Sequence, residues 1–185
     1  MSVTPQQAAQ VFAEADCLVT GAEIDQALDR MAQAITDELA ESNPLVICVM
    51  TGGLVAAGQL LTRLNFPLEL DYLHATRYRG ETSGGAEVHW LAEPRNSLEG
   101  RTVLLIDDIL DEGHTLAAIQ AYCRGNGAAE VHTAVLVDKL HDRKHPDAEA
   151  DYVGVEVEDR YLFGSGMDYK EYWRNAPGIW AVKDN

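Results

Sequence analysis

The residues best equipped for chemistry lie in one run, Arg101-Thr102-Val103-Leu104-Leu105-Ile106-Asp107-Asp108-Ile109-Leu110-Asp111-Glu112-Gly113-His114-Thr115-Leu116. An apolar stretch leads straight into two adjacent carboxylates, and a third carboxylate, a glycine and a threonine follow. Ligands of open α/β sheets bind beyond the carboxyl ends of strands, which is where this pattern puts the acids. The turn from Asp111 to Thr115 aims several backbone N–H groups from a helix N-terminus, an anion site, and Gly113 lets the backbone come close. Thr115 adds a hydroxyl donor. Asp107 and Asp108 cannot bind phosphate, but they can accept from vicinal sugar hydroxyls or help to hold a magnesium ion. A lone acidic pair after a strand is ordinarily an acidic turn. The apolar run before this pair and the Gly-x-Thr after it set it apart.

Other candidates are weaker alone. Lys139 stands just beyond the apolar run Ala134-Val135-Leu136-Val137, at the end of a second strand. His141 and His145 flank Arg143 and Lys144 in a polar loop, and they read as solvated side chains rather than metal ligands. Trp173 and Trp180 read as packing residues, and Cys48, inside an apolar strand, as inert.

The elements that must position these groups follow from periodicity. Residues 4–16 read as a helix with Pro5 in its first turn. Thr20-Gly21-Ala22-Glu23 has the form of a capping box, and Ile24, Leu28, Met31, Ile35 and Leu39 continue it as an amphipathic helix. Leu45–Met50 and Thr102–Ile106 are apolar runs without alternation, the signature of strands covered on both faces. Leu54–Leu64 and Thr115–Arg124 have helical spacing. Leu68–Arg77 reads as a strand with Ala86–Leu91 as its hairpin partner across the Gly-rich loop around Gly80, and Glu130–Val137 and Tyr152–Val157 as the remaining strands. Strands alternating with helices predict an α/β fold, a parallel sheet flanked by helices. The 185 residues read as one domain.

Composition narrows the function. With 14 Lys+Arg against 30 Asp+Glu, a net charge of −16 repels nucleic acid and anionic membrane. A phosphorylated ligand must therefore be held locally. No apolar run approaches the ~18 residues of a membrane span. The first residues have no basic region or apolar core, so they do not read as a secretory signal. Three scattered cysteines argue against a disulfide framework and fit a reducing cytoplasm.

Val103–Leu116 resembles the phosphoribosyl-pyrophosphate loop of the type I phosphoribosyltransferases, a hydrophobic run followed by D/E-D-x-x-D-T/S-G-x-T. The similarity covers most of residues 45–174 and is narrowest toward the hypoxanthine-guanine phosphoribosyltransferases. Met50-Thr51-Gly52-Gly53 resembles the family's pyrophosphate-facing loop, often built around a non-proline cis peptide. Val137-Asp138-Lys139 resembles the strand end that supplies a base-reading lysine. Arg160–Tyr169 and Tyr172-Trp173-Arg174 resemble the hood over the purine.

The resemblance implies a Rossmann-like core with a small hood, formed by the N-terminal helices and the C-terminal segment. It implies purine salvage: hypoxanthine or guanine plus 5-phosphoribosyl pyrophosphate giving IMP or GMP plus pyrophosphate, with Mg2+. In this reading Asp107 and Asp108 accept the ribose hydroxyls, and Asp111 lies near purine N7 as the acid/base group. Glu112, Gly113, His114 and Thr115 wrap the 5′-phosphate. Lys139 donates to O6, Tyr161 stacks on the base, and the backbone of Leu162 meets the purine edge. Thr51, Gly52 and Arg174 face pyrophosphate, Asp168 takes the magnesium, and Tyr78 closes with the mobile loop. A homodimer or homotetramer is usual for the family.

Three positions depart from the family pattern. Glu112 stands where Thr or Ser is usual, so its side chain is expected to point away from phosphate. Thr51 and His114 stand where some members carry lysine. Fewer cations make magnesium more important. The rival reading is a nucleotide-sensing regulator on the same fold that no longer catalyses; intact Asp111, Lys139 and Asp168 speak against it.

Overall fold

The computed structural model describes residues 3–77 and 88–183. The chain order is α1 (Pro5–Glu14), β1 (Asp16–Val19), α2 (Gly21–Leu39), β2 (Leu45–Met50), α3 (Gly53–Leu61), β3 (Glu69–Arg77) and β4 (Val88–Ala92). There follow β5 (Thr102–Leu110), α4 (His114–Gly125), β6 (Glu130–Leu140), β7 (Tyr152–Glu158), β8 (Leu162–Phe163) and β9 (Ile179–Ala181).

Six strands form the main sheet in the order β4-β3-β2-β5-β6-β7. The neighbours from β3 to β7 pair in parallel, and only β4 runs antiparallel, as the hairpin partner of β3. The sheet is thus mixed, with a parallel core. Burial on both faces explains the unbroken apolar runs of β2 and β5. Val46, Cys48, Leu104 and Ile106 pack beneath α2 and α3; Leu45, Ile47, Val103 and Leu105 pack on the other face with Leu116, Ile119 and Cys123 of α4. Cys48 and Cys123 are buried thiols whose pKa values burial pushes up to about 11, so neither is a ready nucleophile. The expected capping box of Thr20 with Glu23 starts α2, and a second one, Thr4 with Gln7, which the sequence reading did not name, starts α1.

A smaller antiparallel sheet, β1-β9-β8, lies beside the main one. Phe12 of α1 packs on it, with ring centroids 4.6 Å from Trp173, 4.8 Å from Trp180 and 5.9 Å from Phe163. Trp173 also donates its indole N–H to the carbonyl of Ala8 at 2.7 Å. From the N-terminal part, α1 and β1 thus build this layer, while α2 buries its apolar stripe chiefly on the large sheet.

The structure revises several predicted boundaries. The first helix ends at Glu14, and the next residues form β1. β5 runs on to Leu110, so Asp107 and Asp108 lie within the strand rather than after it. β6 runs on to Leu140, so Lys139 also lies within a strand. In both cases polar residues interrupt an apolar run without interrupting the ladder.

Among the described residues no helix is long and apolar enough to cross a membrane.

Candidate active site

Chain connections place the site. From β2 the chain crosses through α3 to β3 on one side, then returns to β5 on the other side of β2. The crevice between the carboxyl ends of β2 and β5 is the point where strand order reverses, and ligands bind there in open α/β sheets. Gly52, just past β2, meets Asp108 of β5 in this crevice, and a Cβ at Gly52 would overlap the Asp108 carboxylate. A Cβ at Gly53 would lie 2.5 Å from the Ile106 carbonyl. The Met50–Thr51 peptide is cis, as the loop resemblance led one to expect. Gly166 closes the crevice from the hood: its added Cβ would overlap the Gly52 carbonyl, and its own carbonyl accepts from Arg174 Nη1 at 2.8 Å.

Two cavities open from this crevice. The first, about 380 Å³, is lined by Asp107, Ile109, Asp111, Glu112, Gly113, His114, Thr115 and Leu116. Here α4 begins with no side-chain cap and no acidic residue in its first turn, leaving N–H groups for an anion. Gly113 has φ 78°, a left-handed conformation, and a Cβ there would lie 2.5 Å from Ala148 Cβ and 2.9 Å from Leu110 Cδ1. Glycine is therefore required by the loop's own packing, which the sequence reading attributed to ligand approach alone. His145 N donates to the Glu112 carbonyl at 2.7 Å and braces the loop from outside. The Glu112 carboxylate lies 3.8 Å from His114 Nε2.

The second cavity, about 220 Å³, is lined by Asp108, Ile109, Asp111, Lys139, Tyr161, Leu162, Met167 and Asp168. Lys139 Nζ donates to Asp111 Oδ2 at 2.8 Å and lies 3.8 Å from Asp159 Oδ1. Tyr161, 51% exposed, presents a ring beside the cavity, edge-on to Tyr169 at 5.6 Å. Asp168 Oδ1 accepts from Arg174 at 2.8 Å, and its Oδ2 accepts from the Glu171 N–H at 2.8 Å. Asp107 and Asp108 are sequence neighbours, yet they line different cavities, while Asp111 borders both.

The carboxyls differ in electrostatics. Burial pushes the Asp107 carboxyl well up, helped by the charge of Asp108. Burial also pushes Asp108 up, against a downward pull from Arg174. Asp111 is also partly desolvated, but hydrogen bonds from Lys139 and His141 outweigh this and pull it below the usual carboxylate value.

His141 corrects the sequence reading. Its side chain is 3% exposed rather than solvated, and its Nε2 lies 2.7 Å from Asp111 Oδ1. The missed signal was the length of β6: the strand continues beyond Val137 to Leu140, and His141 follows it directly, so that Lys139 and His141 both reach Asp111. Asp111, His141 and Asp159 bring ligand atoms within 4.8 Å of one another. Lys139 and Arg143 already pair with those carboxylates, so the group is an ion-pair cluster and disfavours a metal cation.

The structure brings together Gly52, Asp107, Asp108, Asp111, Glu112, Gly113, His114, Thr115, Lys139, Tyr161, Leu162, Asp168 and Arg174 around one crevice. Thr51 adjoins Gly52 and is exposed. Tyr78 lies outside the described residues.

Comparison with known proteins agrees with this geometry. The phosphoribosyl transferase domain family matches residues 15–171. A hypoxanthine-guanine phosphoribosyltransferase of Streptococcus thermophilus is 34% identical over 154 residues, 83% of this chain and 85% of that protein. The enzyme of that name from Bacillus subtilis is 34% identical over 166 residues, 90% of this chain and 92% of its own. A crystal structure of a hypoxanthine phosphoribosyltransferase from Staphylococcus aureus superposes with a TM-score of 0.86 at 27% identity, covering 93% of this chain and 94% of that one. With this degree of likeness over nearly its whole length, the chain belongs to the phosphoribosyltransferase family, on its hypoxanthine-guanine branch.

Proposed function

We propose that the chain transfers the 5-phosphoribosyl group of 5-phosphoribosyl pyrophosphate to hypoxanthine or guanine, releasing IMP or GMP and pyrophosphate. The observation that carries this reading is the pairing of two adjoining cavities, one ending on helix N–H groups and one on a buried lysine, with Asp111 between them. A sugar phosphate suits the first. A planar base with an acceptor at position 6 suits the second, because an ammonium only donates.

The residues then divide the work. The start of α4, from Gly113 to Thr115, holds the 5′-phosphate, while Glu112 contributes only its N–H. Asp107 and Asp108 accept from the ribose hydroxyls. Tyr161 stacks on the base, Leu162 meets its edge, and Lys139 moves from Asp111 to O6. Thr51, Gly52 and Arg174 border pyrophosphate. Departure of pyrophosphate leaves a ribosyl centre with oxocarbenium character, and N9 of the base forms the new bond at C1′. The base's N7 proton passes to Asp111, which is held as a carboxylate.

Magnesium fits the oxygen-only chemistry of this site. Asp107 and Asp108 form no ion pair among the described residues, and their raised carboxyls mark charge that a cation would relieve. Asp168 would exchange its Arg174 partner for the ion, with help from that pair, and the ion would neutralise pyrophosphate. The non-catalytic regulator has no observation in its favour: Asp111, Lys139 and Asp168 converge on one cavity.

A homodimer or homotetramer is the proposed assembly. An apolar groove of about 530 Å³ that includes Leu54, Leu70 and Tyr72, each about half exposed, supplies a surface for it.

The test is turnover of the purified chain with 5-phosphoribosyl pyrophosphate and each of hypoxanthine, guanine, xanthine and adenine, with and without a chelator. Mononucleotide should form with 6-oxopurines, only when magnesium is present. Product from adenine alone, or none from any base, overturns the reading; undiminished turnover in excess chelator removes the magnesium role.

A further inference from the structure

His141 is absent from the roles assigned above, yet it holds one of the two oxygens of the carboxylate at the centre of the site. Its ring is fixed on both nitrogens. The backbone N–H of Arg143 donates to Nδ1 at 3.1 Å, so Nδ1 is an acceptor and carries no proton. In the neutral ring the proton is then on Nε2, which lies 2.7 Å from Asp111 Oδ1 and donates to it. A doubly protonated ring would turn N–H toward the N–H of Arg143 and lose that contact. Backbone geometry thus selects both the tautomer and the direction of the bond.

Asp111 therefore has two donors of different kinds. Lys139 on Oδ2 is a flexible chain with a second carboxylate, Asp159, 3.8 Å away. His141 on Oδ1 is a buried ring with no freedom to leave. We propose that His141 is the positioning residue for Asp111: it retains Oδ1 when Lys139 departs to the 6-oxo group, so that Oδ2 alone faces the base. This rests on the reading of Asp111 as the group at N7. The proton balance is simple. The N7 proton moves to Oδ2, the Nε2–H bond to Oδ1 remains, and His141 neither gains nor loses a proton. Because Nδ1 faces a backbone donor, the imidazole offers no exit path, and the proton stays on Asp111 until product leaves.

The charged groups around this bond are Lys139 on β6, Asp159 after β7, Arg143 paired with Asp159 at 2.8 Å, and Glu112 in the loop. All remain when His141 is replaced, so a change in the acid limb of the pH profile reports on the lost donor. The experiment compares His141→Leu, which removes the donor, with His141→Gln, whose amide can supply one at similar reach. Folding is checked by thermal melts, and affinity for 5-phosphoribosyl pyrophosphate by calorimetry. Loss of one hydrogen bond to a charged group predicts a fall in single-turnover rate with hypoxanthine of roughly 10-fold for His141→Leu. The acid limb of its kcat profile should move to higher pH, because Asp111 loses a donor that stabilises its charged form. His141→Gln should recover most of the rate and return the limb toward its original place. Sugar-phosphate affinity should hold within about twofold in both.

If His141→Leu keeps rate and pH profile while Asp111→Asn loses turnover, His141 is packing only and the proposal falls alone. Equal losses in the Leu and Gln variants with no movement of the acid limb also overturn it. If Asp111→Asn itself turns over normally, the reading of Asp111 fails, and this inference fails with it.

Discussion

The end of β5 and the loop that follows carry aspartates set in opposite senses. Asp107 and Asp108 sit inside the strand, Asp108 buried and Asp107 half-buried, and their carboxyls are pushed up. Asp111 sits three residues beyond Asp108, between Lys139 and His141, and is pushed down. The first pair has no ion-pair partner among the described residues, and its raised carboxyls gain from anything that brings donors or a cation. The second is already satisfied and already charged. Environments that drive like groups apart in this way mark a division of labour. In this account the pair serves sugar hydroxyls and metal, and Asp111 takes a proton from the base.

Substitutions that erase the difference should have unequal effects. The largest belongs to Asp111→Asn, which keeps the shape and removes the proton acceptor. General acid–base groups contribute about 10²–10⁴-fold, so single-turnover rate with hypoxanthine should fall by that order while sugar-phosphate affinity changes little. A loss below about threefold would leave Asp111 as only a loop residue.

Next is Lys139→Met, which removes the donor to O6 and releases Asp111 from its ion pair. A hydrogen bond to a charged group is worth about 1.5–3 kcal/mol, roughly 10–150-fold in kcat/KM for hypoxanthine. Adenine never uses that donor as well, so the hypoxanthine-to-adenine ratio should narrow. Equal loss with both bases would show that Lys139 shapes the site without reading O6.

The smallest effect, and one with a change of sign, is on stability. For Asp107 the native carboxyl lies above its unfolded value of ~3.9, so the fold binds more protons and stability falls as pH rises through that window. Asp107→Asn cannot ionise and keeps the acceptor for the Asp108 N–H, at 2.8 Å in the native chain. The ligand-free variant should melt higher at neutral pH, by roughly 2–4 °C for each kcal/mol recovered. For Asp111 the native value lies below the unfolded one. Its stabilisation is present above ~3.9 and is lost as pH falls through the native value. Asp111→Asn should therefore melt slightly lower at neutral pH. Calorimetric melts of both variants without ligand read the two signs.

Much of the first cavity was legible because its parts are contiguous. An apolar run, acids, a glycine and a helix start, all within residues 101–116, specify a strand, a turn and an anion site together. The second cavity draws on β5, β6 and the segment around β8, and no spacing rule joins Lys139 to Tyr161 or Asp168. There the family resemblance did what periodicity could not. His141 was missed because the end of β6 was set at the last apolar residue, although the ladder to β7 continues through Leu140. The hood strands β8 and β9 span two and three residues, too short to show alternation. Gly113 was read correctly as necessary, but the contact with Ala148, thirty-five positions away, is tertiary and leaves no local trace.

The division between the carboxylates can be observed directly in the free protein. Side-chain carboxyl carbons of ¹³C-labelled aspartates, assigned through the Asp107→Asn, Asp108→Asn and Asp111→Asn variants, would be followed by NMR across the acid range without metal or ligand. The account predicts that Asp111 titrates below the ~3.9 of an unperturbed aspartate, and that the Asp107–Asp108 pair takes up its first proton above it. All three carboxyls titrating together near the unperturbed value, or Asp111 protonating first, would contradict it.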